Sequence, residues 1–189
     1  MPELHFPDPE LTDGVVTLRA WRPNDHAQRF AGFSDPLCQR FSWASSEPFT
    51  EQHQLTWAGE GEEAARMRGE AIGFAIVEAG DARRVWGGAS IYDIAVAEGR
   101  AAVGYWLAGH ARGRGIATRA VRLLARWAFD DLAVARLELT CGPDNLASQQ
   151  VAERSGFTRE GLLRSHTPFK GGRRDSVLFS LLPTDPAHR

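Results

Sequence analysis

The segment Arg112-Gly113-Arg114-Gly115-Ile116-Ala117-Thr118 joins a stretch with the pattern of a β-strand to one with the pattern of an amphipathic helix. Its two glycines can adopt backbone conformations that a Cβ atom disfavours. The first turn of a helix has N–H groups without intrahelical acceptors, and together with the helix dipole they form an anion site. Arg112 and Arg114 add positive charge beside that site. The segment therefore predicts a loop that binds a pyrophosphate.

Other interpretations of this loop compete with the pyrophosphate site. The simplest is a glycine-containing turn that only packs a helix on a sheet. A dinucleotide-binding fingerprint needs a third glycine where Thr118 stands, and an acidic residue placed to hold a ribose. A P-loop is excluded, because the spaced Gly-Lys-Ser/Thr ending is missing.

The patterns on either side of the loop predict one mixed α/β domain. Residues 1–14 are rich in proline and acidic residues, and we expect a flexible N-terminal segment there, followed by a single domain over residues 15–183. In chain order the patterns predict a strand at 15–21, helices at 25–33 and 50–68, strands at 71–78, 85–96 and 101–108, a helix from 116, a strand at 136–141, a helix at 143–156, and strands at 158–167 and 173–181.

The composition excludes several classes of protein. A formal net charge of -2 over 189 residues gives no electrostatic support for nucleic-acid binding. No apolar run approaches the roughly 20 residues of a membrane span, and the N-terminus lacks the apolar core of a signal peptide. Cys38 and Cys141 are too few for a disulfide framework or a zinc site. We therefore expect a cytoplasmic protein without a metal, a membrane partner or a nucleic-acid partner.

Several motifs in a fixed order resemble one known family. Arg112-x-x-Gly115-x-Ala117 resembles the Q/R-x-x-G-x-G/A motif of the GNAT superfamily of N-acetyltransferases. The fourth strand of that family and the element after its fifth strand are matched by Gly104-Tyr105-Trp106-Leu107, Asn145-Leu146-Ala147-Ser148 and Gly156-Phe157. The branch that acetylates ribosomal-protein N-termini, the RimJ and RimL type, is matched by Val16-Thr17-Leu18-Arg19, Arg22-Pro23-Asn24-Asp25 and Ser34-Asp35-Pro36. The resemblance covers roughly residues 15 to 182.

The resemblance implies a fold and a cosubstrate. The fold would be a mostly antiparallel, twisted sheet of about seven strands, with about four helices on its two faces. A bulge in the fourth strand would splay it from the fifth, and the pantetheine arm of acetyl-CoA would lie in the gap. A backbone N–H near Leu107 would polarise the acetyl carbonyl, and Asn145 would bond to the pantetheine arm. The residues expected to bind acetyl-CoA are Trp106, Leu107, Arg112, Gly113, Arg114, Gly115, Ile116, Ala117, Thr118, Asn145 and Ser148.

The resemblance also implies direct acetyl transfer to an amine, with few catalytic side chains. The tyrosine that protonates the departing thiolate in many members is replaced here by Ala152. Ser148 is the expected acid instead, although a serine in the first turn of a helix can be merely structural. Glu160 is the candidate base, with an ion pair to an arginine as its structural alternative. Glu138 is a second candidate. Ordered water is the remaining route, since Ala101-Ala102 stand where this branch often has a glutamate.

The acceptor is left open by the sequence. An α-amine with a pKa near 8 costs about 1 kcal/mol to present neutral at pH 7, whereas a lysine costs almost 5 kcal/mol. A protein N-terminus and a small-molecule amine both fit, and the segments expected to select between them are residues 30–55 and 169–174. A homodimer is implied only by the family. The alternative function is an inactive acyl-CoA-binding sensor or scaffold, which the missing tyrosine favours.

Overall fold

The fold is a mixed α/β domain built on a single eight-stranded sheet. The computed structural model describes residues 3–186. The strands are β1 (Leu11–Thr12), β2 (Val16–Arg19), β3 (Ile72–Glu78), β4 (Asp81–Ala95), β5 (Arg100–Leu107), β6 (Arg136–Cys141), β7 (Thr158–Phe169) and β8 (Gly172–Leu181). The helices are α1 (His26–Phe33), α2 (Pro36–Phe41), α3 (Glu51–Thr56), α4 (Glu62–Met67), α5 (Ile116–Asp130) and α6 (Leu146–Arg154). The expected fold class is confirmed.

The strands lie in the order β1-β2-β3-β4-β5-β6-β8-β7. Every neighbouring pair is antiparallel except β5 and β6, which are parallel. The eighth strand, beyond the seven expected, is β1, which pairs with Thr17 and Leu18 of β2. It lies inside the segment 1–14 that we expected to be flexible. Residues 3–14 instead contact the domain, and Leu4 is buried in its core; Met1 and Pro2 lie outside the described residues.

The sheet opens between β5 and β6, as the resemblance implied. The two strands pair only where Arg100–Ala102 meets Arg136–Glu138. Beyond that point, β5 runs on to Leu107 without a partner on its β6 side. The expected bulge in β5 is wrong, because its register with β4 is continuous from Ala102 to Leu107. The register shift lies in β4, between Tyr92 and Ala95.

The helical region before β3 differs from the expected pair of helices. Ser34-Asp35-Pro36 ends α1 but also starts α2, because the Asp35 carboxylate accepts hydrogen bonds from the N–H groups of Leu37 and Cys38. The single helix expected over residues 50–68 is α3 and α4 joined by a π-turn at Trp57–Gly61. Asp25 precedes α1, but its carboxylate does not cap that helix; it accepts from the buried Arg19.

Alternate residues of β5 face two separate layers of side chains. Val103 lies in the main core, where α5 contributes its apolar stripe, and Leu107 packs against that core. Trp106 and Ala108 face the opposite layer, formed with α1 and α2. A Cβ atom on Gly88 would lie 2.5 Å from the indole nitrogen of Trp106, so this glycine makes room for the ring. The end of β5 therefore lies between two packed layers.

Two negative findings concern the chain from residue 3 to residue 186. No helix in this range is long and apolar enough to cross a membrane. No group of three or more His, Cys, Asp and Glu side chains in the same range is arranged to hold a metal ion. The cytoplasmic location and the homodimer stay predictions.

Candidate active site at the open end of strand β5

A cavity of about 300 Å³ lies beside the open end of β5, and we call it the loop cleft. It is bounded by the last residues of β5, by the glycine-rich loop with the start of α5, and by the first turns of α6. Ten of the eleven residues expected to bind acetyl-CoA line it: Trp106, Leu107, Arg112, Gly113, Gly115, Ile116, Ala117, Thr118, Asn145 and Ser148. The exception is Arg114, which is exposed and lies over the ring of Trp86.

The glycine-rich loop presents unpaired backbone donors to this cleft. Gly113 and Gly115 have φ angles of 73° and 74°, a left-handed conformation that glycine adopts without strain. After Arg112, the next residue along the chain whose backbone N–H is hydrogen-bonded is Arg119, which donates to the Gly115 carbonyl. The N–H groups of residues 113–118 have no acceptor among the residues that the structure describes. This arrangement is suited to bind a phosphate or pyrophosphate.

Arg112 lines the loop cleft, but its guanidinium bonds to other groups of the protein. It donates to the Leu107 carbonyl at 2.9 Å and pairs with the Asp35 carboxylate at 2.5 Å. The hydrogen bond from Arg112 lowers the pKa of Asp35. The Arg112 side chain therefore has a structural role, because it fixes the end of β5 against α2. Its contact with acetyl-CoA stays a prediction.

Two N–H groups of β5 point into the gap towards β6. The N–H of Ala108 donates to the Trp86 carbonyl of β4. Because successive residues of an antiparallel strand direct their N–H groups to opposite sides, those of Leu107 and Tyr105 point away from β4. β6 has already diverged at this level. An extended ligand in the gap can therefore accept hydrogen bonds from both residues, as a partial strand would.

Asn145, Ser148 and Tyr105 meet at the floor of the loop cleft. The Asn145 side chain caps α6 by accepting from the Ser148 N–H at 3.2 Å. The Tyr105 hydroxyl donates to Ser148 Oγ at 3.2 Å. Burial raises the pKa of Tyr105 to about 12, so this phenol stays protonated at neutral pH. The Ser148 hydroxyl also lies within hydrogen-bond reach of the Cys141 sulfur. It can therefore accept from Tyr105 and donate its own proton either to Cys141 or into the cleft.

Tyr105 is the residue that the sequence interpretation missed. In the sequence, Tyr105 is one residue of the Gly104-Tyr105-Trp106-Leu107 motif, and the resemblance assigns it no separate role. The usable signal was the two-residue spacing from Leu107, since residues i and i+2 of a strand share one face. Its hydroxyl stands in front of α6, the helix where Ala152 leaves the usual tyrosine position empty.

Glu160 and Glu138 do not line the loop cleft, and their contacts argue against the predicted role as bases. Glu160 accepts two hydrogen bonds from Arg136, at 2.8 and 2.7 Å, and one from Ser180. The hydrogen bonds from Arg136 and Ser180 lower the pKa of Glu160 to about 2, so its carboxylate is a weak base. Glu138 accepts from Arg136 at 2.8 Å. Neither carboxylate lines any of the three cavities beside β5.

A second cavity, of about 410 Å³, lies on the other side of Trp106 and Tyr105, and we call it the aromatic cavity. It extends from β3 across β4 and β5 to β8. Its aromatic lining consists of Trp21, Phe33, Phe41, Trp57, Tyr92, Tyr105, Trp106 and Phe169. A smaller bridging cavity of about 90 Å³ connects this region with Asn145 and Ser148. Two ligands can therefore approach the open end of β5 from opposite sides.

Comparison with protein families gives a match over most of the chain. Residues 16–158 match the family model described as an acetyltransferase (GNAT) domain. The N-acetyltransferase p20 of Bacillus licheniformis, which is described as uncharacterized, is 31% identical over 160 residues, covering 82% of this chain and 89% of that protein. Two relatives from Bacillus subtilis are 37% and 36% identical over 83 and 93 residues. The matched regions span about half the length of those two proteins, 46% and 51%.

Solved structures share the fold over nearly the whole chain. RimJ of Mycobacterium smegmatis, solved with a CoA disulfide, is 27% identical with a TM-score of 0.77, covering 93% of this chain and 87% of that one. The structure of RimL, a ribosomal L7/L12 α-N-protein acetyltransferase in complex with coenzyme A, has a TM-score of 0.77 at 22% identity, covering 91% of this chain and 96% of that one. At 22% identity, the similarity to RimL concerns the fold alone.

Proposed function

Because this chain belongs to the GNAT acetyltransferase family, we propose that it transfers an acetyl group from acetyl-CoA to the amine of an acceptor in one ternary complex. The acceptor is a protein N-terminal α-amine or a small-molecule amine. The observation that carries the proposal is the row of unpaired N–H groups at residues 113–118, which opens onto the same cleft as the free edge of β5.

The loop cleft fits the chemistry of acetyl-CoA. The unpaired N–H groups and the N-terminal end of α5 offer hydrogen bonds and a positive dipole to the pyrophosphate. The N–H groups of Tyr105 and Leu107 offer donors to the pantetheine arm and to the acetyl carbonyl oxygen. The Asn145 amide lies beside them, at the start of α6. These are the residues that would hold the cosubstrate.

In the proposed transfer a neutral amine attacks the acetyl carbonyl carbon directly. The carbon–nitrogen bond forms, the carbon–sulfur bond breaks, and the electron pair leaves with sulfur. The amine gives up one proton to water, and the Ser148 hydroxyl delivers one proton to sulfur. Tyr105 passes its proton to Ser148 and regains one from water. Orientation supplies much of the rate, because the thioester is already activated.

The amine proton needs no strong side-chain base. Glu62 is the only carboxylate that lines the three cavities among the described residues, and Arg29 pairs with it at 2.5 Å. An α-amine presents its neutral form at neutral pH for about 1 kcal/mol, whereas a lysine needs almost 5 kcal/mol. The site is therefore suited to α-amines or to other amines of low pKa.

A calorimetric titration with acetyl-CoA tests the first half of the proposal. Gly115→Trp places a large side chain in the loop cleft, whereas Gly80→Trp is the matched control, because Gly80 also has a positive φ angle and open space but lies in the turn between β3 and β4. We expect saturable binding in wild type and in Gly80→Trp, and at least 100-fold weaker binding in Gly115→Trp.

Mass spectrometry of peptides and amines incubated with acetyl-CoA tests the second half. Acetylation of an α-amine at a rate that follows enzyme concentration supports the transferase. No acetyl-CoA binding by the wild-type protein contradicts the proposal as a whole. Binding without transfer to any amine in the panel identifies a non-catalytic acyl-CoA-binding module instead.

A further inference from the structure

Arg174 of β8 is a half-buried cation at the junction of the two approaches to β5. It lines both the aromatic cavity and the bridging cavity. Its Nη1 donates to the Phe41 carbonyl at 3.0 Å, and its guanidinium carbon lies 3.9 Å from the ring centroid of Phe169. Its Nε is buried without an acceptor. Four of its five N–H groups therefore have no acceptor among the described residues.

Two other arginines that line the loop cleft or the aromatic cavity are buried or half-buried, and both have carboxylate partners. Arg29 pairs with Glu62, and Arg112 pairs with Asp35. No carboxylate lies within 4.0 Å of the Arg174 guanidinium in the described part of the chain. Asp144 contributes a favourable field at Arg174, but its carboxylate is held by Arg40 at 2.8 Å. Arg174 thus lies at the wall of a cavity without an ion-pair partner among the described residues.

A partly desolvated guanidinium without an ion-pair partner is a binding group for an anion. Burial of a cation without a counter-charge costs free energy, and it lowers the pKa of Arg174. The planar fork of an arginine fits a carboxylate with two parallel hydrogen bonds. The face of the guanidinium is already fixed on Phe169, so little side-chain freedom remains to be lost when the anion binds.

The rest of the aromatic cavity sets the shape and polarity of the occupant. Its walls are mainly aromatic rings, with the hydroxyls of Ser42, Ser90, Thr140 and Thr167 between them. A volume of about 410 Å³ accommodates a small molecule with a ring or a large aliphatic group. The cavity therefore suits an apolar body that carries one anionic group.

The bridging cavity places that anionic group close to the transfer point. It has a volume of only about 90 Å³, and Arg174, Tyr105 and Ser148 all line it. An acceptor that puts its amine beside the Tyr105–Ser148 pair and its anion on Arg174 must carry the two groups within a few bonds of each other. An α-amino acid has this spacing.

We propose that the acceptor is a free amino acid with an apolar or aromatic side chain, whose carboxylate binds Arg174 while its α-amine attacks the acetyl group. Arg174 is then the residue that selects amino carboxylates over amines without an anion. The inference rests on the proposed acetyl transfer and narrows its acceptor.

Initial rates of acetylation of phenylalanine and of phenylalaninamide test the inference. The two differ in the carboxylate, and comparing each acceptor across protein variants cancels the difference in their amine pKa values. Arg174→Gln removes the cation, and Arg174→Lys keeps a positive charge without the planar guanidinium. Arg173→Gln is the control on the same strand. Arg173 is exposed and donates to carbonyls within the β7–β8 hairpin, outside the cavities.

We expect Arg174→Gln to raise the KM for phenylalanine about 10- to 100-fold and to change the KM for the amide less than threefold. Arg174→Lys should restore part of the phenylalanine affinity, and Arg173→Gln should behave as wild type. Phenylalanine titrated calorimetrically into the CoA-saturated protein should bind to wild type and not to Arg174→Gln. Melting temperatures establish that each variant is folded.

Equal losses for both acceptors in Arg174→Gln would show a structural residue and overturn the inference. So would wild-type turnover of a peptide with an N-terminal phenylalanine while free phenylalanine is neither acetylated nor bound, because that result assigns the acceptor to protein N-termini. Both outcomes leave acetyl transfer standing. Failure of the wild-type protein to bind acetyl-CoA removes the proposed function itself.

Discussion

The two ends of the seam between β5 and β6 are built from opposite kinds of side chain. At the closed end, where the strands pair, Arg136 bonds to both Glu138 and Glu160, and Ser180 completes the cluster. At the open end the donors available for the proposed transfer are neutral: two backbone N–H groups of β5 and the hydroxyls of Tyr105 and Ser148. Charges that are fully paired hold the strands together, whereas donors left without partners can act on a ligand.

This contrast argues against the carboxylates Glu160 and Glu138 as catalytic bases. A carboxylate with three charge-assisted or hydroxyl hydrogen bonds is stabilised as the anion, so it accepts a proton poorly. The pKa of Glu160, lowered to about 2, expresses that stabilisation. At the open end, burial raises the pKa of Tyr105 to about 12, which preserves a proton that can be donated. Three substitutions test whether the two ends are as different as their contacts indicate.

Ser148→Ala at the open end should have the largest effect. It removes the hydroxyl that faces the proposed thiolate, while the backbone N–H at position 148 still donates to the Asn145 side-chain oxygen. We expect kcat to fall about 100-fold, with the Kd for acetyl-CoA changed less than threefold and the free energy of unfolding nearly unchanged. Steady-state rates and calorimetry measure these values. A normal kcat would leave sulfur protonation to water.

Tyr105→Phe should have an intermediate effect, because Tyr105 acts on sulfur through Ser148. We expect kcat to fall about tenfold, with little change in acetyl-CoA affinity. Since the pKa of Tyr105 is about 12, its proton is retained across neutral pH and is lost only as pH rises through about 12. Between pH 8 and pH 10, the kcat of the wild-type protein should therefore show no loss that depends on Tyr105, that is, no loss that is absent from Tyr105→Phe. Such a loss would contradict the assignment.

Glu160→Gln at the closed end should have the smallest effect, confined to stability. The Arg136–Glu160 pair is partly exposed, so we expect a loss of less than about 1 kcal/mol in the free energy of unfolding at neutral pH. The folded-state pKa lies below the unfolded one, so this stabilisation exists above about pH 4.5 and is lost as pH falls towards 2. Urea titrations at pH 7 and pH 3 should show the difference shrinking. A large fall in kcat would restore Glu160 as a catalytic base.

Much of the fold could be predicted from the sequence where local patterns act alone. The amphipathic stripe of α5, the start of α6 at Asn145 and most of the strand positions follow from side-chain period and capping. The short strand β1 and the helix α2 were missed. Two residues give no usable period for β1, and Ser34-Asp35-Pro36 signals both the end of one helix and the start of the next.

By itself, the sequence determined the conformation of the glycine-rich loop that we propose as an anion site. Positive φ angles at Gly113 and Gly115 and the free donors of a helix start are local properties of the backbone. Only the tertiary structure decided how the charged and hydroxyl side chains are used. Arg112, Glu160 and Arg174 are all ionisable, and the sequence around them does not say how each is used. Arg112 and Glu160 have oppositely charged partners 77 and 24 residues away, whereas Arg174 has no carboxylate partner in the described part of the chain. An ionisable side chain is either structural or available for binding according to its partner in space, and that partner is set by how the strands and helices pack.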